Sequence, residues 1–591
     1  MNQQAGINRR TFLSSTITPL AVAAGLGAAN FRKPPNVLLI LADDQGYGDL
    51  SYHGNPYLKT PHLDDLAKQS TEFTRFYVSP VCAPTRASLL TGRYNMRCGV
   101  HGVTAGRETM SASETTIAEA LKPAGYHTAL FGKWHLGSHY PNVPHAQGFD
   151  EFIGFRFGHW IDYYDPQFER NGKPYPLHGY VTDALTDQAI RFVRERANDP
   201  FFLYLAYNVP HAPFMAPERH WKIYSQMGLP QDTAAAYALT ACMDENIGRL
   251  LHALEENGIA NDTIVIFLSD NGPNGDRYNC GLRGKKGSVY EGGNREPFFI
   301  RWPGHISAGK RIDTIAAHID VYPTLLDLCG VNSPKGNPID GRSLVPLIRG
   351  NGATWHNRML FVHSERPVDP NSLYPGTVRT QQFNLVNGQE LYEIPSDPGE
   401  QKNIAADHPQ IVEQLRAAYK AWFQDVLPPG GLKRLPIPVG YEQENPATLY
   451  APEAYLSGGI TYYGKHGYAH DFITNWTTLA GSVLWNLDVV RQGQYQVTLK
   501  YLCPEGSTGA EVEIAAGDAS SHGVIQHATD MNPVRHRDLV PRTEAPAMHW
   551  QTMTAGILAL PEGKTTLTVK AISKPGPIVM DLKEVILTRV K

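Results

Sequence analysis

Four short polar clusters hold the residue types in this chain that can do chemistry. Asp43-Asp44 and Asp270-Asn271 offer carboxylate and amide oxygens only. Oxygen-only sets suit hard cations such as calcium or magnesium, whereas a zinc site draws histidine or cysteine into its first positions. By itself Asp43-Asp44 reads equally well as a loop and helix-cap pair. The matching Asp-Asn pair elsewhere tips the reading toward a metal. Lys133-Trp134-His135 and Pro210-His211-Ala212-Pro213 supply cationic and imidazole side chains. Either histidine can serve a leaving group as a general acid, and either can instead be a satisfied buried or loop residue.

The elements that must carry these clusters are legible from hydrophobic periodicity. Asn36 to Leu41, His127 to Phe131, Phe201 to Tyr207 and Thr263 to Leu268 are apolar, β-branched or aromatic runs. Such runs predict strands buried on both faces. Helical patterns lie between them, at His62 to Lys68, Glu114 to Ala124, Thr182 to Ala197 and Thr233 to Asn257. The alternation predicts an α/β fold with a mostly parallel central sheet flanked by helices. Each polar cluster follows one of the four strands. Open α/β sheets bind ligands beyond the carboxyl ends of their strands, so all four are expected to converge on one site. From about Thr354 to Gln424 the texture changes to short strands and a final helix. Pro428-Pro429-Gly430-Gly431 reads as a linker, and the alternating runs beyond Leu435 predict an all-β sandwich.

Cys82-Ala83-Pro84-Thr85-Arg86, followed by Thr91-Gly92-Arg93, resembles the signature of type I sulfatases, within the alkaline phosphatase superfamily. The resemblance runs from about residue 34 to 425. It implies that Cys82 is oxidised to formylglycine (3-oxoalanine) by a formylglycine-generating or sulfatase-maturing enzyme. It further implies one calcium ion on Asp43, Asp44, Asp270, Asn271 and the modified Cys82. Arg86 would hold the formylglycine, Lys133 and Lys286 the sulfate oxygens, and His135 the hydrated aldehyde, with His211 protonating the leaving alcohol. The family's lysine precedes Gly-x-x-Tyr-Glu-Gly-Gly, which here is Gly287 to Gly293, so Lys286 and not Lys285 is the match. The segment Gly158 to Tyr163 resembles a substrate-lining loop, which makes His159 and Asp162 possible substrate contacts. The implied chemistry is coherent. Cationic side chains and a metal complement the three charged oxygens of a sulfate ester. A hydrated aldehyde has one hydroxyl to attack sulfur and a second to expel the product.

The expected organisation is a signal segment (1–33), a catalytic domain (34–350), a closing α+β subdomain (351–427), a linker (428–434) and a β-sandwich resembling galactose-binding modules (435–591). Asn8-Arg9-Arg10-Thr11-Phe12-Leu13 resembles a twin-arginine export signal, and the apolar stretch after it is too short for a comfortable span. A periplasmic or secreted bacterial protein, handled by the twin-arginine machinery and without a stable membrane anchor, is expected. A net charge of -4 over 591 residues gives no reason to expect nucleic acid as a partner. Six cysteines, one of them consumed by oxidation, leave an odd number, which argues against a full disulfide framework. The expected substrate is a sulfated carbohydrate. Tyr462, Tyr463, Trp476 and Trp485 are either sugar platforms or core. The alternatives are a phosphodiesterase or phosphonate hydrolase of the same superfamily, using an unmodified Cys82, and a non-catalytic glycan-binding protein.

Overall fold

The computed structural model describes residues 33–352, 355–364, 369–464 and 466–590, so the signal-type sequence up to residue 32 lies outside the described residues. A ten-stranded sheet forms the centre. Its five middle strands, Thr263–Ser269, Asn36–Asp43, Phe201–Pro210, His127–Lys133 and Glu151–Phe155, lie side by side and parallel. Antiparallel strands flank them on both sides, Phe298–Arg301 on one and Gln167–Arg170 on the other. The longest run of parallel pairing is therefore in the middle, and one short parallel pair, Lys310–Ile312 with Thr71–Phe73, lies at an edge. Every residue of Asn36–Asp43, Phe201–Pro210 and Thr263–Ser269 is buried, as expected for strands with apolar side chains on both faces.

Helices Pro61–Lys68, Val181–Glu195 and Gln231–Glu256 pack on one face through Leu63, Leu66, Leu185, Phe192, Leu239 and Ile247, against Leu38, Ile40, Phe131 and Leu203 of the sheet. The helix expected from Glu114 starts later, at Ile117. There Thr116 caps the Glu119 N–H and Glu119 reciprocates on the Thr116 N–H. It tightens to a 3-10 turn at Lys122–Ala124, where Pro123 cannot donate an α-helical hydrogen bond. Helix Cys82–Thr91 is buried along its whole length, so it is held by the fold on every side.

A four-stranded antiparallel sheet, Leu360–His363 to Glu390–Glu393, packs against helix Pro409–Val426 through Leu360, Val378, Leu385, Leu415 and Tyr419. This layer grips the loop that bears Lys286. Arg379 donates to Glu291 at 3.0 Å and to the Val289 carbonyl at 3.0 Å, and Glu400 accepts from the Glu291 N–H at 2.7 Å. The paired glycines of that loop are required by space. A Cβ on Gly293 would lie 2.1 Å from the Ser288 carbonyl oxygen.

From Ile437 onward two six-stranded sheets, nearly all antiparallel, face each other across a core that includes Val497, Leu499, Val512, Ile514, Val569 and Val585. Trp476 and Trp485 are fully buried in that core and are no sugar platforms, whereas Tyr463 is exposed. The sandwich is fastened to the catalytic part by polar contacts. Arg156 pairs with Glu444 at 2.5 Å, His139 with Glu453 at 2.9 Å, and the Thr104 hydroxyl donates to the Gly467 carbonyl at 2.6 Å. All six cysteines are free, and no described helix is long and apolar enough to cross a membrane.

Candidate active site

The carboxyl ends of the central strands bring the four polar clusters together. Asp43 closes its strand, and Asp44 turns the chain through a left-handed backbone (φ 68°), fixed by its N–H donating to Asp270 Oδ1 at 3.1 Å. Asn271 donates from Nδ2 to Asp44 Oδ1 at 2.8 Å. That leaves Asn271 Oδ1 buried without a hydrogen bond among the described residues, and Asp43 Oδ1 likewise. Single ligand atoms of Asp43, Asp44, Cys82 and His211 all lie within 4.8 Å of one another. Buried carboxylates with orphaned oxygens are costly unless something positive completes them. The carboxylate oxygens of Asp43 and Asp44 and the amide oxygen of Asn271 suit a hard cation, whereas Cys82 Sγ and the His211 nitrogen are the softer atoms of the cluster. Asp270 stands just behind this cluster, with Oδ1 on the Asp44 N–H and Oδ2 on Arg86.

Three cationic side chains face the three carboxylates. Lys133 Nζ lies 2.7 Å from Asp43 Oδ2, Lys286 Nζ lies 2.6 Å from Asp44 Oδ1, and Arg86 reaches Asp270 Oδ2 at 2.8 Å. Arg86 also donates to the Lys133 carbonyl at 3.0 Å, which locks the guanidinium in place. Burial alone would raise Asp43 and Asp44. The charges of Lys133 on the first and Lys286 on the second, aided by His211, bring both below the usual carboxylate range. Asp270 moves the other way, raised by burial and then by the charge of Asp43. Such a concentration of perturbed, buried charge marks a functional site more often than a structural one.

Cys82 is the first residue of its helix, so the positive end of the helix dipole points at its side chain. Burial raises its thiol pKa, so as a plain cysteine it is a poor thiolate nucleophile. His135 has a left-handed backbone (φ 61°) and gives its Nε2 proton to the Val103 carbonyl at 2.9 Å, which leaves Nδ1 as a buried acceptor without a partner among the described residues. A Cβ on Gly158 would come within 2.8 Å of that ring, so glycine there leaves the imidazole its space. His211 donates from Nδ1 to the Ala212 carbonyl, which turns Nε2 toward Asp44 Oδ2 at 3.7 Å. The Tyr163 hydroxyl, within 3.2 Å of the carbonyls of Asn208, His211 and Ala212, pins this turn. Burial lowers the pKa of both histidines, helped by Lys133 at His135 and by Lys286 at His211.

Cys82, His135, His211 and Lys286 share a cavity of about 280 Å³, and His159 lines it too, its ring parallel to that of His211 at 6.0 Å. Asp162 is not brought to this cavity. Its carboxylate is held by His536 at 3.0 Å. Four lining residues come from the C-terminal sandwich: Tyr468 and Ala469, from a run polar and aromatic enough to be expected at an interface or pocket rim, and Thr543 and Glu544, which the sequence did not single out; Asn274 comes from the loop after Asp270-Asn271. Thr543 and Glu544 sit in an irregular segment with no motif. A larger cavity, about 370 Å³, lies between the two parts of the molecule but contains none of the Cys82 cluster, so chemistry rather than size selects the site.

The sulfatase family model matches residues 35–331, and the model described as N-sulphoglucosamine sulphohydrolase, C-terminal, matches 284–424. Both end before the C-terminal sandwich. Arylsulfatase A of Homo sapiens is 32% identical over 466 residues, covering 67% of this chain and 89% of the relative. N-acetylgalactosamine-6-sulfatase of Canis lupus familiaris is 35% identical over 379 residues, covering 58% and 70%. Among solved structures, Ps i-CgsB in complex with k-i-k-neocarrahexaose superposes with a TM-score of 0.63 at 30% identity, covering 68% of this chain and 95% of that one.

Proposed function

The chain belongs to the sulfatase family and is a sulfuric ester hydrolase, and from that premise we propose that it removes sulfate from carbohydrate using a formylglycine made from Cys82 beside one calcium ion. The observation that carries the reading is the buried cluster around Cys82. Cys82 at a helix start, two orphaned buried oxygens and three buried cationic side chains meet where the central strands end. A non-catalytic glycan-binding protein would have no use for that arrangement. The solved structure of BT4656 in complex with its substrate D-Glucosamine-2-N, 6-O-disulfate supports a sulfated sugar as the substrate class.

Asp43, Asp44, Asp270 and Asn271, with the modified Cys82, would hold the calcium. When bound, the ion supplies Lewis-acid charge that polarises a sulfuryl oxygen. Lys133 and Lys286 bind the remaining sulfate oxygens, at the distance from the carboxylates at which they already stand. Arg86 fixes the modified side chain and offsets its charge. His135, with its bare Nδ1, accepts a hydrogen bond from the hydrated aldehyde. His211, on a pinned turn with Nε2 facing the cluster, delivers a proton to the leaving alcohol, whose alkoxide is a poor leaving group. Maturation by a formylglycine-generating enzyme and twin-arginine export to the periplasm or beyond belong to the same reading. So does a boundary near 428–434 between the catalytic part and the sandwich.

The test is sulfate release from desalted sulfated oligosaccharides, with and without a calcium chelator, and with the product's lost sulfate located by NMR. Release that is lost on chelation and restored by calcium supports the reading. Release indifferent to chelation and to substitution of Cys82 would refute it.

A further inference from the structure

The C-terminal sandwich sends one segment far from its own sheets. Residues 525–550 connect strand Ala519–Val524 to strand Gln551–Leu560. The base of the segment is closed as a hairpin. Pro533 bridges Met548, and the Val534 N–H donates to the Ala547 carbonyl at 2.8 Å. Its tip lies on the catalytic part and is held there by contacts from several residues. His536 Nδ1 donates to Asp162 at 3.0 Å while its Nε2 accepts the Ala547 N–H at 3.2 Å. Arg542 donates to the Ile161 carbonyl at 2.9 Å and pairs with Asp538 at 2.8 Å. The Arg537 guanidinium stacks over Tyr164 at 4.4 Å, and the Leu539 N–H donates to the Phe214 carbonyl at 2.9 Å.

Such anchoring fixes the residues between Arg542 and the buried Ala545. Those residues are Thr543 and Glu544, and both line the cavity of Cys82, His135, His211 and Lys286. Tyr468 enters the same wall from the loop clasped by Thr104. Among the described residues, the side chains of Thr543, Glu544 and Tyr468 make no hydrogen bond or ion pair. A carboxylate on the wall of a cavity that takes a sulfate ester cannot serve the sulfate, because like charges repel. What remains for it is to accept hydrogen bonds from neutral donors on the leaving group. An ionised carboxylate has two oxygens and binds two hydroxyls more strongly than a neutral acceptor does.

We infer that Glu544 is a specificity-determining residue that accepts hydroxyl groups of the sugar ring bearing the sulfate, with Tyr468 and Thr543 as neighbouring contacts. The pocket then favours rings with free hydroxyls beside the ester and disfavours rings with a second anionic group there. The inference deepens the carbohydrate-sulfatase reading and rests on it.

The experiment uses the mature, calcium-loaded full chain with para-nitrophenyl sulfate as the reporter. Galactose 6-sulfate, galactose 4-sulfate, N-acetylgalactosamine 6-sulfate and a carrageenan hexaose serve as competitors. At least one competitor is expected to inhibit the wild type, and its inhibition constant is expected to rise about tenfold or more in Glu544→Ala, the loss typical of a hydrogen bond to a charged group. Tyr468→Phe, which removes one hydroxyl and little else, should shift the same competitor in the same direction by less. Arg535→Ala, exposed on the arm and away from the cavity, should leave the constant unchanged. Constants that agree within about twofold between wild type and Glu544→Ala for every probe, uninhibited probes included, overturn the inference. A wild type that releases sulfate neither from the reporter nor from any sulfated oligosaccharide overturns the parent reading and takes this one with it.

Discussion

Replacing His211 by alanine should separate two kinds of substrate. The Nδ1 proton is committed to the Ala212 carbonyl, and Tyr163 holds that turn through three carbonyls within 3.2 Å. Nε2 is therefore the ring nitrogen free to take a second proton and pass it to a leaving group; burial and the charge of Lys286 oppose that second proton, and the negative charge of an incoming ester favours it. General-acid catalysis by a positioned side chain typically contributes a factor of about 10²–10⁴. The pinned geometry argues for the middle of that range or above, about 10³, or ~4 kcal/mol of barrier. A sugar alkoxide needs that proton and a nitrophenolate hardly does. His211→Ala should thus lose about 10³ in kcat on a sulfated sugar but less than about tenfold on para-nitrophenyl sulfate. The ring packs parallel to His159, and its polar contact with a distant side chain, Asp44 Oδ2 at 3.7 Å, is too long for a hydrogen bond, so thermal unfolding should move little. The assay is kcat on both substrates with calcium saturating, beside a melting curve. Equal losses on the two substrates would refute the general-acid role and leave His211 a charge or packing group.

Asp270→Asn should lower calcium content, measured by elemental analysis of the purified protein, to well under half of wild type, because it removes a charge from an oxygen cage of few members. Unchanged stoichiometry would show that Asp270 only anchors Arg86. Asp162→Ala should weaken sugar-sulfate competition while sparing kcat on the aryl ester, since it frees the tip that carries Glu544. Asp162→Asn should restore it, because an amide oxygen still accepts the His536 Nδ1 proton. Failure of the asparagine to rescue would point to a charged role for Asp162 at the substrate.

Much of the site was legible before any coordinates. The strands that carry Asp43, Lys133, His211 and Asp270 are buried on both faces, so their apolar runs announce them. Polar residues that interrupt such a run at its carboxyl end stand out for the same reason. The parallel order of the central strands follows from the alternation with helices, but the flanking antiparallel strands do not, because runs of 4 residues such as Gln167–Arg170 and Phe298–Arg301 are too short to show a period. Glu114 fits the helical pattern and yet precedes the helix, since the Thr116 side chain caps it and so sets its first turn at Ile117. The role of Asp162 was not readable, because its partner His536 lies 374 residues away in the chain. Glu544 was invisible for a related reason. It acts from an irregular arm whose placement depends on Tyr164, Ile161 and Phe214, and no local pattern encodes a contact of that range.

The central claim is that Cys82 becomes the aldehyde that does the chemistry. The most direct measurement is peptide mass spectrometry of the segment containing Cys82, in several preparations that differ in exposure to a formylglycine-generating enzyme, set against the specific activity of each. The expected result is a peptide that has exchanged the thiol sulfur for a carbonyl oxygen, in a fraction that rises in proportion to activity and extrapolates to zero activity at zero conversion. Full activity in a preparation whose Cys82 is an intact thiol would contradict it.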